Sequence, residues 1–175
     1  MRLFVAAELP EEMREALAET SALLRGRVRG RYVAPDSFHV TLAFLGNVEP
    51  YRVNDASEAL ERGCAGHSAF TLSLGDLGCF GKRSKATLWQ GFKDTDALSE
   101  LAETVRMELR AEGFTFDAKP FVGHVTLMRA ADMTAGELPT PAHAAGSVSN
   151  VTLFKSDLSG PRPVYTPLHV VELPS

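Results

Sequence analysis

At 175 residues, 45% hydrophobic and 23% charged, the chain has the composition of an ordinary soluble globular protein and enough length to bury a core without staples. A net charge of −4 argues against a protein that coats long nucleic acid with its whole surface. The two cysteines, Cys64 and Cys79, form neither a metal-type C-x-x-C pair nor a disulfide framework, so residues 1–175 are expected to be one cytoplasmic domain with reduced thiols.

In chain order, "RLFVAAEL" reads as a short strand, cut off by Glu8 and Pro10 before it reaches signal-peptide length. No stretch approaches a membrane span. Pro10 opens a helix with Glu11 and Glu12 in its first turn, Met13, Leu17 and the pair Leu23–Leu24 on its apolar stripe, and Gly26 as its stop. A basic loop, "RGRVRGR" (Arg25, Arg27, Arg29, Arg31), leads to the strand "FHVTLAFL". Pro50 starts a second helix with Val53, Ala56, Leu60 and Cys64 on one side.

"AFTLSLGDLGCF" and "ATLWQGF" are two strands joined at Gly81 through a second basic cluster, "GKRSK" (Lys82, Arg83, Lys85). Leu98, Leu101, Val105 and Leu109 give the cleanest helical stripe, ended by Gly113. "GHVTLMRA" follows as a strand, "AADMTAGELPTPAHAAG" as a loop, and "SVSNVTLFKSDL" and "VYTPLHVVEL" as two last strands. Strand, helix, strand thus occurs twice, and Phe4 precedes His39 by 35 positions just as Trp89 precedes His124. A second echo, T-L-x-x-x-D-L, starts at Thr71 and Thr152. The paired echoes predict two related lobes within one unit. Each basic cluster is either a solvated loop or a grip for a small anion or one end of a nucleic acid.

The tetrapeptide HVTL opens at both His39 and His124, which takes two of the 5 histidines. Random placement of 5 histidines and 12 threonines gives only about 0.3 H-x-T matches. Strand alternation puts His39, Thr41 and Ala43 on one face and Val40, Leu42 and Phe44 on the other. In the second copy His124 and Thr126 oppose Val125 and Leu127. Each strand would then bury a greasy face and present an imidazole beside a hydroxyl. Cross-strand partners satisfying each other's hydrogen bonds would explain either copy alone; the matched pair favours a shared pocket.

Across such a cleft, one charged and one neutral imidazole make a general acid and a general base near neutral pH. The threonine hydroxyls add donors for an anion between the rings. A phosphodiester that carries an internal leaving group needs no metal for this chemistry.

These residues resemble the paired H-x-T-x signature of the two-histidine phosphoesterases, in particular the bacterial and archaeal RNA 2′,3′-cyclic phosphodiesterases, also called 2′-5′ RNA ligase-like proteins. The similarity runs nearly the whole length, through "RLFVAAELPEEMRE", the first motif with its "AFLG" extension, "KPFVGHVTLMR" and "VYTPL". The resemblance implies an α+β fold: two pseudo-symmetric lobes of antiparallel sheet with flanking helices around a central cleft, each lobe contributing one motif. It implies hydrolysis of a 2′,3′-cyclic phosphate, on RNA 3′ ends or on nucleotides, to a 2′-phosphate. No metal, cofactor, membrane or obligate protein partner is called for, and a monomer is expected.

By the same resemblance His39 is the proton donor to the departing 3′ oxygen, His124 the proton acceptor from water, and Thr41 and Thr126 hold the nonbridging oxygens. The sequence itself does not order the two histidine roles. Arg129 matches an arginine the family carries after its second motif, yet it has the wrong parity to share a face with His124 unless the strand ends or bulges near Met128. Relatives usually carry proline before the second histidine; Gly123 stands here and leaves that approach less constrained. Phe44, Trp89, Phe121 and Tyr165 are candidate base or cleft contacts, with Phe44 facing away from His39.

Other readings are weaker. "GCFGKRSK" resembles a P-loop but has Arg83 where Ser or Thr is required. His67, His143 and His169 read as structural or surface residues. A metal-dependent hydrolase with His39 and His124 as ligands finds few Asp, Glu or Cys residues near either motif on the histidine face, so a three- or four-ligand site is hard to assemble. A non-catalytic binder of phosphorylated RNA ends, and 2′-5′ RNA end-joining, are the remaining alternatives.

Overall fold

From Leu3 to Ala7 every residue of the opening strand is buried, at 0–1% exposure, a pattern that requires a neighbour on each side and cover on both faces. In the computed structural model, which describes residues 1–116, 119–134 and 136–175, this strand, β1 (Arg2–Ala7), is central. It pairs antiparallel with β3 (Val40–Asn47) on one side and β8 (Asn150–Asp157) on the other, and β9 (Val164–Glu172) closes the order β3-β1-β8-β9. Pro167 in β9 removes an N–H donor, which an edge strand tolerates.

The second sheet, also antiparallel, has the order β2-β6-β5-β4-β7. It is built from β2 (Arg31–Tyr32), β4 (Phe70–Phe80), β5 (Ala86–Phe92), β6 (Val125–Ala131) and β7 (Ala145–Val148). The strand triplets β8-β1-β3 and β4-β5-β6 therefore correspond, with one HVTL motif on the outer strand of each. The fold is α+β with two pseudo-symmetric lobes, as expected.

Three helices cover the sheets. α1 (Glu11–Leu24) follows Pro10, which sits at its N-cap, and ends before Gly26 at φ +84°. Of its expected stripe, Met13, Leu17 and Leu24 are buried, whereas Leu23 lies on the solvent side. α2 (Val53–Cys64) is preceded by a short 3₁₀ turn at Pro50–Arg52. It crosses α3 (Asp96–Ala111) closely enough that a Cβ at Gly63 would come within 2.6 Å of the Val105 backbone. Leu98, Leu101, Val105 and Leu109 of α3 are all at 0% exposure, each side chain contributing about 1.5–3 kcal/mol through burial.

The packing interleaves the two halves. α2 lies on β8 and β9, α3 touches β3 of the first sheet, and α1 packs on β7 of the second. Two expectations change here. "SVSNVTLFKSDL" is not one strand: the chain breaks at Ser149, sending β7 into the second sheet and β8 into the first. The basic loop after α1 is not wholly irregular, because Arg31 and Tyr32 pair with β6. The described part of the loop expected at 130–146 has no helix or strand between β6 and β7; residue 135 lies outside the described residues.

Candidate active site

Neither motif strand keeps a regular alternation, and both depart from it at the same leucine. Val5 pairs with Ala43 and Ala6 with Thr41, which leaves Leu42 as an extra residue. Leu88 pairs with Met128 and Trp89 with Thr126, which leaves Leu127 extra. Each bulge buries two consecutive residues and flips the side chain that follows them to the opposite face.

This corrects two assignments. Ala43 is buried at 1% exposure rather than sharing the His39 face, and Phe44, 46% exposed, turns onto that face. Phe44 stacks at 5.5 Å on Phe4, whose other contacts include the His39 ring at 4.9 Å. In β6, Leu127 and Met128 are buried and Arg129 is exposed on the His124 side, so the bulge Arg129 requires is present. A second irregularity follows, with Ala130 in the left-handed region at φ 51°.

A bulge frees a carbonyl that must be satisfied. Arg106 of α3 donates its Nε–H to Leu42 O at 2.7 Å, and the Val33 N–H donates to Leu127 O at 2.9 Å. Arg106 also donates to Lys119 O at 3.2 Å and lies 5.3 Å over the Phe121 ring. One guanidinium thus ties the first motif to the segment that leads into the second.

The two imidazoles have matching settings. His124 Nδ1 lies 2.7 Å from Val122 O; a carbonyl only accepts, so Nδ1 carries the proton and Nε2 is the free lone pair in the neutral ring. His39 makes the corresponding hydrogen bond to the backbone of Ser37. His39 is stacked on Phe4 and meets Tyr165 edge-on at 5.3 Å. His124 meets Phe80 edge-on at 5.0 Å and Trp89 at 5.7 Å. The 35-residue spacing therefore marks the same relation twice: an aromatic on the central strand under the motif histidine.

Burial among these rings disfavours the charged imidazoles. It pulls His39 down to about 4, with the charges of Arg129, Arg14 and His124 acting the same way. Burial also lowers His124, again with help from Arg129. Histidines 85 positions apart in the sequence thus lie in the field of one arginine and, for His39, of each other. Thr41 and Thr126 are half-buried, and no described residue hydrogen bonds to either hydroxyl.

Of the candidate aromatics, Trp89, Tyr165 and Phe44 belong to these two clusters, while Phe121 packs on the core beside Arg106. The indole of Trp89 lies so close over Gly78 that a Cβ there would clash with it. Gly123 serves packing: a Cβ at 123 would lie 2.7 Å from Leu98 Cδ2 of α3. Phe4, Phe80, Phe154 and Arg106 are site residues that the motif reading missed; only Phe4 carried a signal, its 35-residue offset.

The remaining histidines are engaged elsewhere, His67 with Thr104, His143 with Leu74 O and His169 with Glu61. Among the described residues no group of three or more His, Cys, Asp or Glu side chains is placed to hold a metal ion, and no helix is long and apolar enough to cross a membrane.

Two strands, each with an aromatic-backed imidazole beside a threonine hydroxyl that no described residue engages, have the layout of the two-histidine phosphoesterases. Residues 7–89 and 93–165 match the LigT like phosphoesterase family, and the chain belongs to that family. It is 34% identical over 168 residues to the RNA 2′,3′-cyclic phosphodiesterase of Escherichia coli, covering 95% of this chain and 93% of that protein. A Geobacillus stearothermophilus protein of the same name is 34% identical over 147 residues, 83% of this chain and 46% of the relative's length. Among solved structures, Escherichia coli LigT complexed with 3′-AMP superposes with a TM-score of 0.85 at 34% identity, covering 98% of this chain and 97% of that one. A Thermus thermophilus structure gives 0.85 at 30%, covering 99% and 98%.

Proposed function

We propose that the chain hydrolyses the 2′,3′-cyclic phosphate of RNA 3′ ends and nucleotides to a 2′-phosphate, with His39 and His124 as the acid–base pair and no metal ion. The observation that carries this reading is the matched setting of the two imidazoles: each is hydrogen bonded to the backbone two residues back, each lies beside an unengaged threonine hydroxyl, and both lie in the field of Arg129. The names of the relatives, RNA 2′,3′-cyclic phosphodiesterases, support the same substrate.

Water attacks phosphorus as the bond to the 3′ oxygen breaks. His124 takes the proton of the water on Nε2, His39 delivers its own proton to the 3′ oxygen, and exchange with solvent resets both rings. Thr41 and Thr126 donate to the nonbridging oxygens and Arg129 offsets their charge. Anion binding restores the proton affinity that burial and Arg129 take from His39, so substrate itself loads the acid. Phe44, exposed on the same side, offers a stacking surface for the base.

We read residues 1–175 as one domain of two lobes that works as a monomer, since both halves of the site come from one chain. The free thiols, Cys64 pushed up to about 12 by burial and Cys79 half-buried, suit the reducing cytoplasm. The test is incubation of an oligonucleotide ended by a 2′,3′-cyclic phosphate with excess EDTA. A 2′-monophosphate with a free 3′-hydroxyl is expected; an unchanged end, a 3′-phosphate or dependence on added metal would overturn the assignment.

A further inference from the structure

The two basic clusters, separated in sequence, meet at the far end of β6. Arg31 is the direct cross-strand partner of Arg129, so their side chains leave the same face of the sheet, the one that carries Thr126. Like charges placed directly opposite destabilise a sheet, yet among the described residues neither guanidinium has a carboxylate partner.

The backbone holds this pair in place. Val33 N–H is bonded to the bulged Leu127 carbonyl at 2.9 Å, Asp132 N–H to Arg29 O at 2.8 Å, and the left-handed Ala130 turns the chain directly after Arg129. Strain of that kind persists where the surrounding structure over-determines it, and it clusters at ligand clamps. The hairpin cluster arrives at the same end: Met133 N–H donates to Arg83 O at 2.6 Å, and the Arg83 guanidinium donates back to Met133 O at 2.8 Å. The Asp132 carboxylate beside them accepts the Thr134 hydroxyl and N–H on Oδ1 at 2.5 and 3.0 Å.

We propose that Arg31, opposite Arg129, grips the phosphodiester on the 5′ side of the terminal nucleotide, so that the preferred substrate is an RNA strand of two or more nucleotides. This rests on the hydrolytic reading above for the position of the terminal phosphate. The planar guanidinium matches two phosphate oxygens at once. A basic groove that tracks the backbone is also how single strands are held without base readout. A mononucleotide carries no phosphate at that place and gains nothing from Arg31.

The experiment compares binding of a short oligoribonucleotide ending in a 2′-phosphate with that of a nucleoside 2′-monophosphate, for the unaltered protein and Arg31→Gln. The variant is expected to bind the oligonucleotide about tenfold to a hundredfold more weakly, the scale of one charge-assisted hydrogen bond. Its log–log salt slope for that ligand should fall by about 0.7, the single-strand value for one phosphate contact. Mononucleotide binding stays unchanged and reports that the fold is intact. Equal losses on both ligands, or none on the oligonucleotide, would overturn the proposal. Turnover of the cyclic phosphate by the unaltered protein is scored separately: its absence, with a selective loss on the oligonucleotide, removes the hydrolytic reading and leaves the grip standing.

Discussion

β3 and β6 carry the same tetrapeptide and bulge at the same leucine, yet the bulge turns an aromatic outward on one strand and a cation on the other. Five positions after the histidine stands Phe44 in β3 and Arg129 in β6. The freed leucine carbonyl is satisfied by a side chain from α3 in the first case and by a backbone N–H after β2 in the second. A duplicated frame thus places on each strand an imidazole hydrogen bonded to the backbone two residues back, with a threonine hydroxyl beside it. The single position beyond the bulge is free to diverge, and it presents an exposed ring on one side and an exposed guanidinium on the other.

The equivalence of the halves breaks most severely at the histidines. His39→Ala and His124→Ala should each lower kcat/KM on a nucleoside 2′,3′-cyclic phosphate by about 10²–10⁴, with unchanged far-UV circular dichroism. Near-normal turnover by either variant would end the acid–base pairing. Next comes Gly78→Ala, which sharpens the comparison by disturbing one lobe alone. The added methyl displaces the Trp89 indole that supports His124, and a misplacement of that order costs about a hundredfold in kcat, read by steady-state kinetics.

Arg106→Leu leaves Leu42 O and Lys119 O without this donor. A loss of about 1–3 kcal/mol in urea unfolding is expected, with a fall in kcat that Arg106→Lys partly restores; kinetics unchanged by Arg106→Leu would show that the first bulge needs no tether. The smallest effect is on pH. kcat/KM reports groups of the free enzyme, and both histidines are depressed there, His39 to about 4 and His124 below 6.5. The profile should peak between those values. Because the Arg129 charge lowers both, Arg129→Gln should move both limbs to higher pH; an unchanged profile would place Arg129 outside the field of the rings.

The helices were legible because burial recurs on one face at helical spacing, and Leu98, Leu101, Val105 and Leu109 have no competing reading. The histidines were legible because a rare residue was spent twice in one context. Alternation failed from Ala43 onward, since a bulge is set by the register against β1 and β5 and leaves no local mark in a strand-forming run. The break at Ser149 was hidden for the same reason, with strand-like sequence on both sides of it. Arg106 sits on the polar side of a regular helix, and only tertiary contacts such as those to Leu42 O and Lys119 O distinguish it from a solvated arginine.

The position of β1 between β3 and β8 has a consequence for synthesis. A ribosome delivers β1 and β3 early, but the strand that seals the other side of β1 begins only at Asn150. Between the synthesis of β3 and that of β8 the nascent chain therefore carries an apolar segment with one open hydrogen-bonding edge, the situation that invites aggregation. A polypeptide released between His124 and Asn150 would hold both histidines while β1, which carries the Phe4 ring stacked on the first of them, keeps one edge unpaired.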